Sequence, residues 1–270
     1  MAQFVNLNPG SLRELHIGNE RLVSYNVEMT EVTGGTFWKA YTPAQIAGTE
    51  PFVLKGGFLG NATASTDLMQ YYDPIDLSDK KLRKLAKEIG PAWVRVSGTW
   101  STKTYYDFDG HTNGVIPEGY NAILTREQWL GVLDFCKDIG AKLLISVADC
   151  EGLHHADEPW NPSQAEQIFA LSKEYGKAID AAEFVNEPNL LAMSGCPKGY
   201  TAEQYVRDQD IFIRWLHENY PDCPFVGPCS TEGVLKKHGE KAQGGGVGDI
   251  LPQCSTDDLM KGAQEKLDVY

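Results

Sequence analysis

Short apolar runs alternate with capped amphipathic segments along this chain, and that alternation points to a parallel sheet covered by helices. The runs are RLVSYNVEMTEV (21–32), AWVRVSG (92–98), AKLLISVADC (141–150), AAEFVNEP (181–188), CPFVGPCS (223–230) and KLDVY (266–270). Helices are predicted between them over 77–90, 124–140, 161–177, 201–221 and 255–265. In the first, Ser78 is the N-cap, Leu82, Leu85 and Ile89 recur at helical spacing, and Gly90 is the stop. In the second, Thr125 is the cap, Trp129, Val132, Leu133 and Cys136 share one face, and Gly140 ends the pattern. Asn161-Pro162 opens the third, Pro221 stops the fourth and Ser255 caps the fifth.

The order fits either an open doubly wound sheet or a (β/α)8 TIM barrel. An open sheet gathers its site at one switch point. A barrel assembles its site from many strand-end loops at one face. Polar residues here follow several strands: Glu28 and Glu31, Ser97 to Lys103, Asp149 and Glu151, Asn186 and Glu187, and Ser230 to Glu232. No strand is followed by GxGxxG or a P-loop, and GGGVG (244–248) reads as a loop. The expected fold class is therefore α/β, a (β/α)8 TIM barrel forming a single domain over 1–270. A closed barrel needs eight strands and about six are visible, so the reading is of a barrel truncated after the sixth.

The 270 residues carry a net charge of −13. A nucleic-acid partner would call for a basic face, and the longest basic run, KKLRK (80–84), reads as the solvated side of a helix. The acidic balance also argues against a highly sulfated substrate. No apolar stretch approaches the ~18 residues of a membrane span. The N-terminal segment shows no apolar secretory core, which suggests the cytoplasm unless a leader was removed. The six cysteines, 136, 150, 196, 223, 229 and 254, form no CxxC pair; buried thiols are expected, with one or two disulfides left open. The sequon Asn61-Ala62-Thr63 carries no weight. His154-His155, near Asp149, Glu151 and Asp157, matches no metal-ligand spacing and reads as solvent-facing.

The stretch AAEFVNEPNL (181–190) drives a carboxylate to the end of an apolar strand, with an amide before it and a proline after it. A helix cap or an ion pair would account for such a glutamate in isolation. At the end of the fourth strand of a barrel it suits glycoside hydrolysis. There a carboxylic acid protonates the leaving oxygen, and partial burial keeps its proton on. The strand gives a rigid mount, the preceding amide reaches a sugar hydroxyl, and Pro188 helps to aim the loop.

Asn186-Glu187-Pro188 resembles the acid/base motif of retaining glycoside hydrolases with barrel folds. Three stretches together resemble glycoside hydrolase family 79, the heparanase and β-glucuronidase family. They are AWVRVSGTWSTKTYYDF (92–108), AEFVNEPN (182–189) and FVGPCSTEG (225–233), in an order that spans 22–270. The chain departs from that family at Val185, where a glycine is usual. The resemblance implies cleavage of β-linked uronic-acid glycosides by double displacement, with Glu187 as acid/base and Asn186 as the hydroxyl contact. It requires no metal or organic cofactor. The family's nucleophile, a second Glu, follows the seventh strand, so this chain is expected to lack it and to be inactive or nearly so.

The cleft is expected to include Thr99, Trp100 and Lys103 after the second strand, with Lys103 read either as a point charge for a uronate or as a surface lysine. Glu28, Glu151 and Trp160 complete the expected set, and Trp93, Trp129 and Trp215 are expected in the core. Two other readings stay open. One is another barrel glycosidase of the β-xylosidase or endoglucanase type, favoured by a neutral subsite. The other is a non-catalytic glycan-binding or assembly module. An unfinished barrel would also expose an edge strand, which calls for a partner chain, a dimer or the remainder of the barrel.

Overall fold

The computed structural model describes residues 8, 10, 12, 13, 18, 20–50, 69–231 and 254–270. The sequon at 61–63, Glu232 and the GGGVG segment lie outside the described residues. In chain order the elements are β1 (Val23–Glu28), α1 (Met29–Thr33), β2 (Gly35–Trp38), α2 (Pro43–Ile46), β3 (Met69–Tyr72), α3 (Lys80–Ile89) and β4 (Ala92–Ser97). Then follow β5 (Thr104–Asp107), β6 (Ala122–Thr125), α4 (Arg126–Asp138), β7 (Lys142–Ser146), α5 (Ser163–Glu174), β8 (Ala181–Glu183), α6 (Ala202–Asn219) and α7 (Thr256–Met260).

Four strands form one parallel sheet in the order β1-β4-β7-β8. Isolated parallel bridges continue it, Ala182 to Phe225, Asn186 to Cys229, and Val226 to Val269. All six expected runs therefore take part, and their spatial order is their sequence order. The fold is mixed α/β, and among the described residues no reversal of strand order marks a switch point of the doubly wound kind.

Strand register separates two faces. Val96, Ile145 and Ala182 are buried and belong to the apolar core. That core is completed by α4, whose Trp129, Val132, Leu133 and Cys136 are all buried, and by Phe169 of α5 and Phe212 of α6. The other face is polar. Register places Asn26 beside Arg95 and Glu28 beside Ser97, and Ser146 beside Glu183. Ser97 and Ser146 meet hydroxyl to hydroxyl at 2.8 Å, closing the row from β1 to β8. A charged residue inside an apolar strand, in VRV and in AAE, marks this face.

Local structure follows the sequence punctuation in part. Thr125 caps α4 by accepting from the Gln128 N–H, and Gln128 bonds back to the Thr125 N–H. Ser255 caps α7 in the same way through the Asp258 N–H. At α3 the cap is Asp79 rather than Ser78: the Asp79 carboxylate accepts the Leu82 N–H at 2.7 Å, while the Ser78 hydroxyl turns back to Asp76. The run 21–32 is strand only to Glu28; Met29–Thr33 turn into a short helix. The antiparallel pair β2–β3 and the parallel pair β5–β6 are additions that periodicity does not reveal. All six cysteines are free thiols, four of them buried. No helix among the described residues is long and apolar enough to cross a membrane.

Candidate active site

Where the polar face reaches the ends of β1, β4 and β8, the described residues enclose a hollow of about 320 Å³. Asn26, Glu28, Arg95, Thr99, Asn186 and Glu187 line one part, and Phe37, Trp38 and Trp100 the other. A larger and more open depression, about 450 Å³, lies over α3. Its Arg83 and Lys87 are already paired with Asp138, and no strand end feeds it.

Glu187 sits at the hollow in an unusual backbone state. Its φ of 52° and ψ of 49° are left-handed, although it is neither Gly nor Asn and precedes a proline. Such a conformation costs roughly 1–2 kcal/mol. It is held from three sides. The Glu187 N–H donates to the Cys229 carbonyl at 2.9 Å, and the Glu187 carbonyl accepts from the Leu190 N–H at 3.0 Å and from the Ser194 hydroxyl. Its side-chain carboxyl receives no hydrogen bond from any described residue. Burial raises its pKa above the ordinary glutamate value, and the nearby Arg95 charge only partly opposes this.

Glu28 is the second carboxylate of the hollow. Its Oε1 accepts from Asn26 Nδ2 at 3.0 Å, and its N–H donates to Glu31 Oε2 at 2.8 Å. Burial raises its pKa; the Asn26 bond and Arg95 oppose the shift, and Glu31 and Glu187 add to it. The carboxylate lies against Gly98, whose φ is +96°, and a Cβ there would sit 1.6 Å from Glu28 Oε2. The Gly98-Thr99 turn is thus shaped around this side chain.

Arg95 organises the floor. Its Nε and Nη2 fork onto Glu183 at 3.1 and 2.5 Å, Nη2 also donates to Asn186 Oδ1 at 2.7 Å, and Nη1 donates to Asn26 Oδ1 at 2.7 Å. Burial opposes its charge, but the carboxylate of Glu183 more than offsets that and keeps the guanidinium protonated. Glu183, 1% exposed, also accepts from the Ser97 hydroxyl and, at 2.9 Å, from the Cys229 thiol. A bidentate buried pair of this kind positions rather than reacts. With Asn186 Oδ1 on Arg95, its Nδ2 is the group left to donate.

Of the residues expected at the cleft, Glu187, Asn186, Glu28, Thr99 and Trp100 come together. Three do not. Trp160 is 2% exposed, with its indole N–H on the Ala148 carbonyl and its ring packed against Phe184, Phe212 and Trp215; it is core. Glu151 faces solvent, pairing with His155 at 2.7 Å and accepting the Lys198 N–H. The Lys103 stem packs on Gly195, away from the lining. His154 is also a correction. It is buried, with Nε2 2.6 Å from Asp149, and only His155 faces solvent. Five residues were missed. Arg95 and Glu183 were signalled by a charge inside an apolar strand. Asn26, Phe37 and Trp38 depend on pairings between distant segments. The Phe37 ring meets Trp100 edge-on at 4.9 Å.

A scan against protein-family models and a search of the curated proteins each find no match to this chain.

Proposed function

We propose that the chain is the strand-1-to-6 portion of a (β/α)8 barrel and carries the acid/base half of a retaining glycoside hydrolase site. The observation that supports this reading best is Glu187: a half-buried carboxyl with a raised pKa, held in a strained turn, facing a hollow of sugar size. A proton stays on such a group long enough to be given to a leaving glycosidic oxygen, and the resulting carboxylate then draws a proton from water. Asn186 is anchored by Arg95, so its amide is fixed one residue from the acid and can meet a sugar hydroxyl. Phe37, Trp38 and Trp100 offer flat apolar surface to the C–H face of a ring. The nucleophile implied by the family resemblance is a glutamate after a seventh strand.

The resemblance names β-linked uronides as substrates. A second reading, a neutral glycoside of the xyloside or glucoside type, has a specific observation in its favour. Arg95 is the one cation among the described lining residues, and Glu183 already neutralises it.

Aryl β-glucuronide and aryl β-xyloside, titrated into the chain and followed by the indole resonances, test both. Binding should perturb Trp38 and Trp100 and leave the core Trp129 and Trp160 unmoved. The glycoside reading fails if neither compound reaches the two hollow indoles. Turnover that Glu187→Gln lowers by ~10²–10⁴ would keep Glu187 as the acid but place the second carboxylate within the chain, at Glu28 among the described residues.

A further inference from the structure

Away from the hollow, the turn leaving β5 gathers three groups able to ligate a metal. Asp107, Asp109 and His111 alternate along DFDGH, and one donor atom of each lies within 4.8 Å of the other two. The inner residue is the informative one. The Asp107 side chain is 4% exposed. Its Oδ2 accepts from the Thr112 hydroxyl and from the Thr112 N–H. Its Oδ1 is buried and receives no hydrogen bond from any described residue. Leaving a buried polar atom unmatched costs about 1–3 kcal/mol, more for a charged one. The nearest positive end is His111 Nδ1, 3.2 Å away, but that nitrogen is aimed at Asp109 Oδ1 at 2.5 Å.

The imidazole is already oriented for ligation. Tyr105 places its hydroxyl 3.1 Å from Nε2 and its ring edge-on at 5.8 Å. Metal-bound histidines are held in this manner, with the far nitrogen donating to a fixed acceptor. When Nε2–H donates to the Tyr105 oxygen, the Nδ1 lone pair faces two carboxylate oxygens, and a cation at their centre satisfies all three.

We propose that Asp107, Asp109 and His111 bind a first-row divalent transition cation that pins the turn between β5 and β6. Two oxygens and one imidazole nitrogen suit such an ion, whereas calcium and magnesium favour oxygen alone. Bonds of about 2.0–2.2 Å put ligand atoms roughly 3.4 Å apart around a tetrahedral centre. Asp107 and His111 are near that spacing. Asp109, 76% exposed and 2.5 Å from the imidazole nitrogen, is free on its solvent side to adjust toward that spacing. Water completes the shell on the solvent side. The ion takes no part in the glycoside chemistry above, and the two proposals stand or fall separately.

The test uses Mn²⁺ alone on the full chain, because six free thiols would compete for zinc. Micromolar Mn²⁺ should broaden the His111, Thr112 and Asp109 resonances first, saturating at one ion per chain. Asp109→Asn and His111→Ala, both at exposed positions, should keep the fold and weaken binding at least tenfold. Mn²⁺ should also raise the melting temperature of the wild-type chain and leave that of His111→Ala unmoved. Broadening absent at these residues up to millimolar ion overturns the proposal. So does equal affinity, or an equal melting shift, in wild type and both variants, which would mark an adventitious ion only.

Discussion

Two polar clusters stand beyond the ends of adjacent strands, β7 and β8, and the chain uses them in opposite ways. Beyond β7, Asp149 and His154 form a buried pair; His154 Nδ1 faces the carbonyls of His155 and Glu158 at 3.0 and 3.1 Å, so it carries a proton. Asp208 of α6 then accepts from the Trp160 N–H, the Tyr200 hydroxyl and both Arg207 Nε and Nη2. Only Asp149 Oδ2 there receives no hydrogen bond among the described residues. Beyond β8, Glu187 has a strained backbone, no described donor on its carboxyl, and an open hollow before it. The first cluster uses its charges to fasten a loop, and the second leaves a carboxyl facing a hollow. Acidic residues at a strand end are therefore insufficient to identify a site. What sets Glu187 apart is that neither carboxyl oxygen receives a hydrogen bond from a described residue and that the group lines a hollow.

The sharpest contrast comes from removing one carboxylate from each cluster. Asp208→Ala strips the partner from Arg207, Tyr200 and the Trp160 amide at once, and should cost about 3 kcal/mol or more. Chemical denaturation reads this directly, and a loss below about 1 kcal/mol would mean that the cluster beyond β7 is not the fastening described.

Gly98→Ala should cost less, roughly 2 kcal/mol, from the positive φ and from expelling Glu28. Its second effect matters more here: aryl glycoside binding should fall with it. A stable Gly98→Ala protein with unchanged binding would remove Glu28 from the hollow's function.

The smallest effect has the opposite sign. The folded chain holds the Glu187 proton more tightly than the unfolded chain does. The stability linked to that proton is complete below about pH 4.3, the ordinary glutamate value, and is lost as pH rises through the raised value. Glu187→Gln, which is always neutral, should therefore be more stable than wild type at pH 7, by less than either loss above. The gain should vanish near pH 4. A destabilised Glu187→Gln protein at pH 7 would mean that the carboxylate has a partner after all.

Much of the scaffold was legible in the sequence because its signals are local. The cap at Thr125 and the apolar face from Trp129 to Cys136 need only neighbouring residues, and all six apolar runs join the parallel sheet that their alternation with helices implied. The carboxyl of Glu187 was visible because a strand and a proline bracket it. Direction was harder. Trp160 and Trp100 both follow strands, but only tertiary packing shows that one ring enters the core and the other the hollow. The hairpin carrying Phe37 and Trp38 pairs segments more than thirty residues apart, and no periodicity reports that. Lys103 was read either as a point charge for a uronate or as a surface lysine, and its stem lies along Gly195, away from the hollow. Charges inside apolar strands were the underused signal. Arg95 and Glu183 stood in plain sequence, and their meeting explains why both strands tolerate them.

The most direct measurement is a carboxyl-carbon NMR titration of Glu187 in the intact chain, with and without an aryl β-glycoside. The account predicts a midpoint above the ordinary glutamate range that moves when the glycoside binds. A midpoint at or below that range, unmoved by the glycoside, would contradict it.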